Sequence, residues 1–102
     1  MVRLTWTQGA LDGLNEIAEY IAVSNPYAAK KLVQTVFEKV SRLERFPESG
    51  RIPEELSGSG YREVVVSPCR IFYNIDRGQV FVLYVLREER DLRRYLVEFG
   101  VA

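Results

Sequence analysis

Residues 61–86 read YREVVVSPCRIFYNIDRGQVFVLYVL, three β-branched and aromatic runs separated by two turn signals. Ser67-Pro68 ends the first run, because proline brings no N–H to a sheet ladder and biases its predecessor toward extended geometry. Asp76-Arg77-Gly78-Gln79 has a turn composition, so CRIFYNID and QVFVLYVL are expected to pair as an antiparallel hairpin. With YREVVVS ahead of them they predict a three-stranded antiparallel meander. Both alternating faces of the last run are apolar: Phe81, Leu83 and Val85 on one, Val80, Val82, Tyr84 and Leu86 on the other. That pattern marks a central strand covered on both sides. Arg70 is the single charge at the mouth of the hairpin. It reads either as a strand-end arginine ion-paired to a neighbour such as Glu63, or as a cation placed at the rim of a site.

Upstream, Val2, Leu4 and Trp6 alternate with Arg3 and Thr5, the period of a short half-buried strand. Thr7 then caps a helix expected over 8–23, with Leu11, Leu14, Ile17, Ala18 and Ile21 on one face. Asn25 as N-cap with Pro26 in the first turn starts a second helix, expected over 26–46, whose stripe is Ala29, Leu32, Val33, Val36, Phe37, Val40 and Leu43. The short link between them predicts an antiparallel helical hairpin. FPESGRIPEELSGSGY (46–61) has the composition of a loop, shaped by an unusual backbone angle at Gly50. EERDLRRYLVEF is a short C-terminal helix candidate, with Leu92, Tyr95, Leu96 and Phe99 at helical spacing. The reading is one α+β domain over 1–102. The helical hairpin covers one sheet face. The other is closed either by the last helix and the 46–61 loop, by a homodimer, or by a segment of another chain lying in an apolar groove.

Composition narrows the function. The 102 residues hold 14 Lys+Arg and 14 Asp+Glu, so no global field draws the chain to nucleic acid or an anionic membrane. There is no histidine and a single cysteine, Cys69, which leaves no metal-ligating cluster, no internal disulfide, and no general acid/base of the commonest kind. No cofactor or metal is expected. The start MVRLTWTQGA has no secretory hydrophobic region and no apolar run approaches spanning length, which predicts a cytoplasmic chain without membrane contact.

Trp6 with Ala10-Leu11-Asp12, NPYAAKKLV (25–33), FPESGRIPEE (46–55), YREVVVSPCRIFYNID (61–76) and VLREERDL (85–92) follow one another in an order and spacing that resembles the RelE/ParE toxin superfamily, and its ParE-like branch in particular. That branch shows P-x-x-G-R-x-x-P-E, a Tyr/Leu-Arg-Glu strand opening, Pro-Tyr-Arg-Ile-x-Tyr and a Val-x-His-x-x-Arg-Asp-Leu ending. Cys69 stands where the family has an aromatic, which alters packing at the hairpin mouth. Arg87 stands where the ending has histidine, which removes a side chain some members use. The resemblance implies a type II toxin–antitoxin toxin, a class tied to plasmid stabilization. It implies a cognate antitoxin whose C-terminal segment wraps the toxin, as a heterotetramer with it, or a homodimer of the free toxin. It also implies a target, DNA gyrase for the ParE branch or the ribosome with mRNA for the RelE branch.

The residues bear on that choice. RNA cleavage without metal needs a base, an acid and cations on the developing phosphorane. Cations are present at Arg62, Arg70, Arg87, Arg90, Arg93 and Arg94, but Lys30, Lys31 and Lys39 all fall on the second helix. Arginine is a poor base, and Glu63, Glu88 and Tyr95 carry no spacing that marks them as a set. The expectation is a gyrase inhibitor acting by binding, with Arg62, Arg70, Phe72, Arg87, Arg90 and Arg94 as contacts to target or antitoxin. The alternatives are a ribosome-dependent endoribonuclease using Arg62, Arg70, Arg87, Arg90 and Tyr95, or a detoxified interaction module. Trp6 and Tyr73 read as core, Arg62-Glu63 as a solvated strand start, and LREERDLRRY as an exposed helix with Glu/Arg pairs at i,i+4, its Arg90-Asp91 holding the last turn on the sheet.

Overall fold

In the computed structural model, which describes residues 1–98, the elements run in the order β1 (Leu4–Trp6), α1 (Gln8–Ala22), α2 (Pro26–Ser41), two 3-10 turns (Arg42–Glu44 and Glu54–Leu56), β2 (Arg62–Val66), β3 (Cys69–Asp76), β4 (Gln79–Arg87) and α3 (Leu92–Glu98). The sheet order is β1-β4-β3-β2, antiparallel throughout the meander, with β1 added parallel to β4 through Leu4–Val80 and Trp6–Val82. Both helix starts follow from their caps. The Thr7 hydroxyl oxygen accepts from the Ala10 N–H at 3.3 Å while donating to the Val82 carbonyl at 2.8 Å, which docks the start of α1 on β4. Asn25 accepts from the Ala28 N–H at 3.0 Å, and Pro26 occupies the first turn. The β3–β4 turn has positive φ at Arg77 (52°) and Gly78 (74°), the left-handed pair that a tight two-residue hairpin loop requires.

Three boundaries differ from the periodicity. α1 ends at Ala22, and α2 gives way to a 3-10 turn after Ser41 rather than running to 46. The C-terminal helix begins at Leu92, because the preceding residues are held as a turn: Glu88 N–H donates to the Pro68 carbonyl and Arg90 N–H to the Arg87 carbonyl. The expected i,i+4 pairs therefore do not form. Arg87 pairs with Glu89 at 2.9 Å and Arg90 approaches Glu98 at 3.9 Å. Phe99 lies outside the described residues.

The strand alternation in β4 also needs correction. The β3–β4 register shifts between Phe72–Tyr84 and Tyr73–Val82, leaving Leu83 as an extra residue. A bulge of this kind changes which face later side chains take. Val80, Val82 and Val85 join the core under the helices, with Ala10, Leu14, Ile17, Val36, Val40 and Ile71, whereas Tyr84 and Leu86 take the other face. On that second face Phe72, Leu86 and Leu92 are buried, packed by Leu56, Tyr61, Tyr84, Tyr95 and Leu96. The 46–61 loop and α3 thus supply its cover. Tyr73 is fully buried, and Trp6 is half-buried against Phe37 with ring centroids 4.8 Å apart. Among the described residues no helix is long and apolar enough to cross a membrane.

Candidate functional site

Arg70 lies on the second face, buried among its ion-pair partners and lining a cleft. Its Nε donates to Glu63 Oε2 at 2.8 Å, as the hairpin register invites, and its terminal nitrogens make a two-pronged pair with Glu55 at 2.8 and 2.9 Å. Nη1 also donates to the Arg90 carbonyl at 2.6 Å, and the guanidinium lies 4.8 Å from the Phe72 ring centre. Such two-pronged carboxylate–guanidinium bonds are the strong kind. They hold the Glu55 carboxyl down at about 2, against an ordinary 4.5, with the Leu92 N–H adding to the effect and burial opposing it. The same Glu55 hydrogen bonds push the Arg70 guanidinium further up.

Glu63 overturns the expectation of a solvated strand start. Its side chain is only 1% exposed and is paired on both sides, to Arg70 and to Arg51 Nε at 2.7 Å. Burial of a carboxylate demands such partners. Arg51 also bridges Glu63 through the backbone, N–H to carbonyl in both directions, which lays the 46–61 loop along β2. Arg62 anchors that loop by donating to the Glu48 and Gly50 carbonyls at 3.1 and 2.9 Å. Gly50 has no positive φ, unlike Gly58, Gly60 and Gly78. It is glycine because a Cβ would sit 2.6 Å from Tyr73 Cε1, and the Gly50 N–H donates to the Tyr73 hydroxyl at 2.9 Å.

The sequence-derived candidates are not all brought together. Arg70 and Phe72 are interior, and Arg62 is a loop anchor. Arg87, Arg90 and Tyr95 come together around a cleft of about 210 Å³ between α1, the end of β4 and α3, with Tyr20, Glu16, Ile17 and Leu86. Arg87 lies 5.1 Å over the ring of Tyr20, and Tyr95 meets Tyr84 edge-on at 5.8 Å. Arg94 is exposed on α3 and does not line the cleft; its N–H bonds the Asp91 carboxylate at 3.2 Å, so Asp91 caps the helix. Arg90 holds its segment on the sheet through its carbonyl rather than its charge. A second cleft, of about 470 Å³, is lined by Arg51, Ile52, Glu54, Glu55, Glu63, Val65, Arg70 and Glu88.

Glu55, Arg51 and Tyr20 were missing from the sequence reading as site residues. Glu55 and Arg51 stand inside the G-R-x-x-P-E run, which was a signal; Tyr20 gave none, since it looks like any exposed helix aromatic.

Every ionisation that the fold clearly perturbs moves away from neutrality. Besides Glu55 and Arg70, burial pushes the Cys69 thiol up to about 11 and the Tyr84 phenol up to about 12, and it raises Tyr73. Acid–base catalysts are tuned in the opposite sense. No group of three or more metal-ligating side chains exists among the described residues.

The family model of the ParE toxin of type II toxin–antitoxin systems, parDE, matches residues 4–92. Toxin RelE2 of Caulobacter vibrioides is 32% identical over 91 residues, covering 88% of this chain and 99% of the relative. A putative toxin of Sinorhizobium fredii, Y4kP, is 38% identical over 91 residues, covering 87% and 91%. A chain of the chromosomal ParDE system from P. aeruginosa superposes with a TM-score of 0.75 at 26% identity, covering 87% of this chain and 98% of that one. A chain of the YoeB–YefM complex from Staphylococcus aureus, at 20% identity and a TM-score of 0.51 over 84% of this chain and 95% of that one, shares the fold.

Proposed function

The chain belongs to the ParE toxin family of type II toxin–antitoxin systems, and on that premise we propose that it inhibits DNA gyrase by binding and is held inactive by a cognate antitoxin. The observation that carries the choice of binding over catalysis is the state of Arg70. The arginine best placed to stabilise a phosphorane is already satisfied by two carboxylates and a carbonyl. The lysines lie on α2, away from the sheet face that holds Arg70, and among the described residues no perturbed group is shifted toward pH 7. Arg87 and Arg90, both half exposed, line a cleft with exposed Tyr20 and half-buried Tyr95. In this reading the surface around that cleft docks on gyrase and traps a DNA-cleaved state. The antitoxin, whose C-terminal segment wraps the toxin, blocks the docking. The activity is cytoplasmic, where gyrase is.

The antitoxin-free chain added to gyrase with relaxed plasmid and ATP tests the proposal. Loss of supercoiling with accumulation of linear DNA is expected. Undisturbed supercoiling in the presence of folded chain would overturn it and point to translating ribosomes instead.

A further inference from the structure

The 210 Å³ cleft has two kinds of wall. Glu16, Ile17 and Tyr20 stand on α1, and Leu86 and Arg87 close β4, both long elements of the main fold. Arg90 and Tyr95 belong to the segment that follows the sheet, just before and within α3. α3 has seven residues, and a helix that short is not stable in water without docking. Whatever docks α3 therefore shapes one wall of the cleft.

The apolar part of that docking is Leu92, fully buried with Phe72 and Leu86. The polar part converges on Glu55. Its Oε2 accepts from the Leu92 N–H at 3.0 Å, and its backbone carbonyl accepts from the Arg93 guanidinium. Its two-pronged pair with Arg70 holds the guanidinium whose Nη1 donates to the Arg90 carbonyl at 2.6 Å. Arg90, Leu92 and Arg93 are thus fastened through Glu55, directly or by way of Arg70. Only a carboxylate serves here, because Leu92 N–H and both Arg70 nitrogens are donors and need acceptors on both oxygens. A glutamine would turn an amide NH2 on one of them. Glu55 itself lines the 470 Å³ cleft and not the smaller one, so it stands behind the docking surface.

We propose that Glu55 is a positioning residue for toxicity: it sets Arg90 and Tyr95 against Arg87 and Tyr20, acting through Arg70 and Leu92. The inference rests on the function proposed above, which makes that cleft the docking surface.

A double-variant cycle on the folded full-length chain, scored by gyrase inhibition, tests it. Glu55→Gln and Arg90→Glu should each raise the half-inhibitory concentration roughly tenfold and together no further, whereas Glu55→Gln with Arg87→Glu should reach roughly a hundredfold. Amide hydrogen exchange reads the positioning itself. Glu55→Gln is expected to speed exchange at Leu92 and Tyr95 roughly tenfold beyond any change at Val80 in the core. Should Glu55→Gln not fold, Arg93→Ala removes only the bond from an exposed side chain to the Glu55 carbonyl, and a shift of roughly twofold in the same direction is expected. Independent, multiplying effects of Glu55→Gln and Arg90→Glu would overturn the proposal, as would α3 exchange that follows the core or inhibition that withstands a loosened α3. A wild-type chain without effect on gyrase would sink the gyrase assignment instead, and the same cycle scored by growth arrest on induction would then decide the role of Glu55.

Discussion

Under α1 and α2, the sheet is held by Leu14, Val36, Val40, Ile71, Val80, Val82 and Val85, apolar side chains that need only to be close-packed. On the opposite face the centre is Arg70 between Glu55 and Glu63, ringed by Phe72, Leu86 and Leu92. The first face tolerates imperfect partners at a graded cost. The second has a charged centre whose parts stabilise one another only as a set, and it ties together the 3-10 turn at Glu54–Leu56, β2, β3 and the start of α3. The toxin's two layers are thus joined to the sheet by different physics. Arg90 is tied to the ion network through its carbonyl, while Arg87 ends β4.

Removing the network's centre should break the comparison most sharply. Arg70→Ala leaves the half-buried Glu55 without its cation and the buried Glu63 with Arg51 alone, and is expected to cost about 3 kcal/mol, measured by urea denaturation. Leu14→Ala on the apolar face is expected to cost about 3 kcal/mol, through lost transfer energy and a cavity. The two should differ in kind, since raised salt or lowered pH would alter the effect of the first and leave the second unchanged. A smaller effect than Leu14→Ala for Arg70→Ala would mean that water reaches the network and the contrast between faces is weak.

Acid provides a gentler probe of the same contrast. Glu55 ionises at about 2 when folded, against 4.5 ordinarily, so its contribution to stability is complete above pH 4.5 and declines as pH falls from 4.5 through about 2. Wild-type stability should decrease across that window, and Glu55→Gln should be less stable at pH 7 while flattening the decline. An unchanged slope in Glu55→Gln would remove Glu55 from the acid response.

How much of this was legible follows the same division. Thr7, Asn25-Pro26 and Asp76–Gln79 carry their signals locally, so helix starts and the hairpin were readable, and with them the strand–helical hairpin–meander–helix layout. The Arg70–Glu63 pair was readable too, because hairpin register brings it together. The bulge at Leu83 was not: VFVLYVL is apolar on both faces, so a change of parity leaves no mark in it. Nor was the burial of Glu63, because its second partner, Arg51, comes from a loop 12 residues earlier. Of the arginines expected to make contacts, Arg70 proved interior because the loop glutamate Glu55 reaches it, a tertiary contact without periodicity. The meeting of Tyr20 with Arg87 likewise depends on how α1 lies across β4.

We propose a division of labour in which buried Arg70 organises the second face and the half-exposed Arg87 and Arg90 meet the target. The most direct test is the double variant Arg87→Glu/Arg90→Glu, assayed for gyrase-dependent DNA cleavage beside its urea midpoint. Lost cleavage with a nearly unshifted midpoint is expected, since both side chains are half exposed and their ion pairs contribute under about 1 kcal/mol each. Full cleavage by the folded double variant would contradict it and remove the Arg87–Arg90 edge from the docking surface.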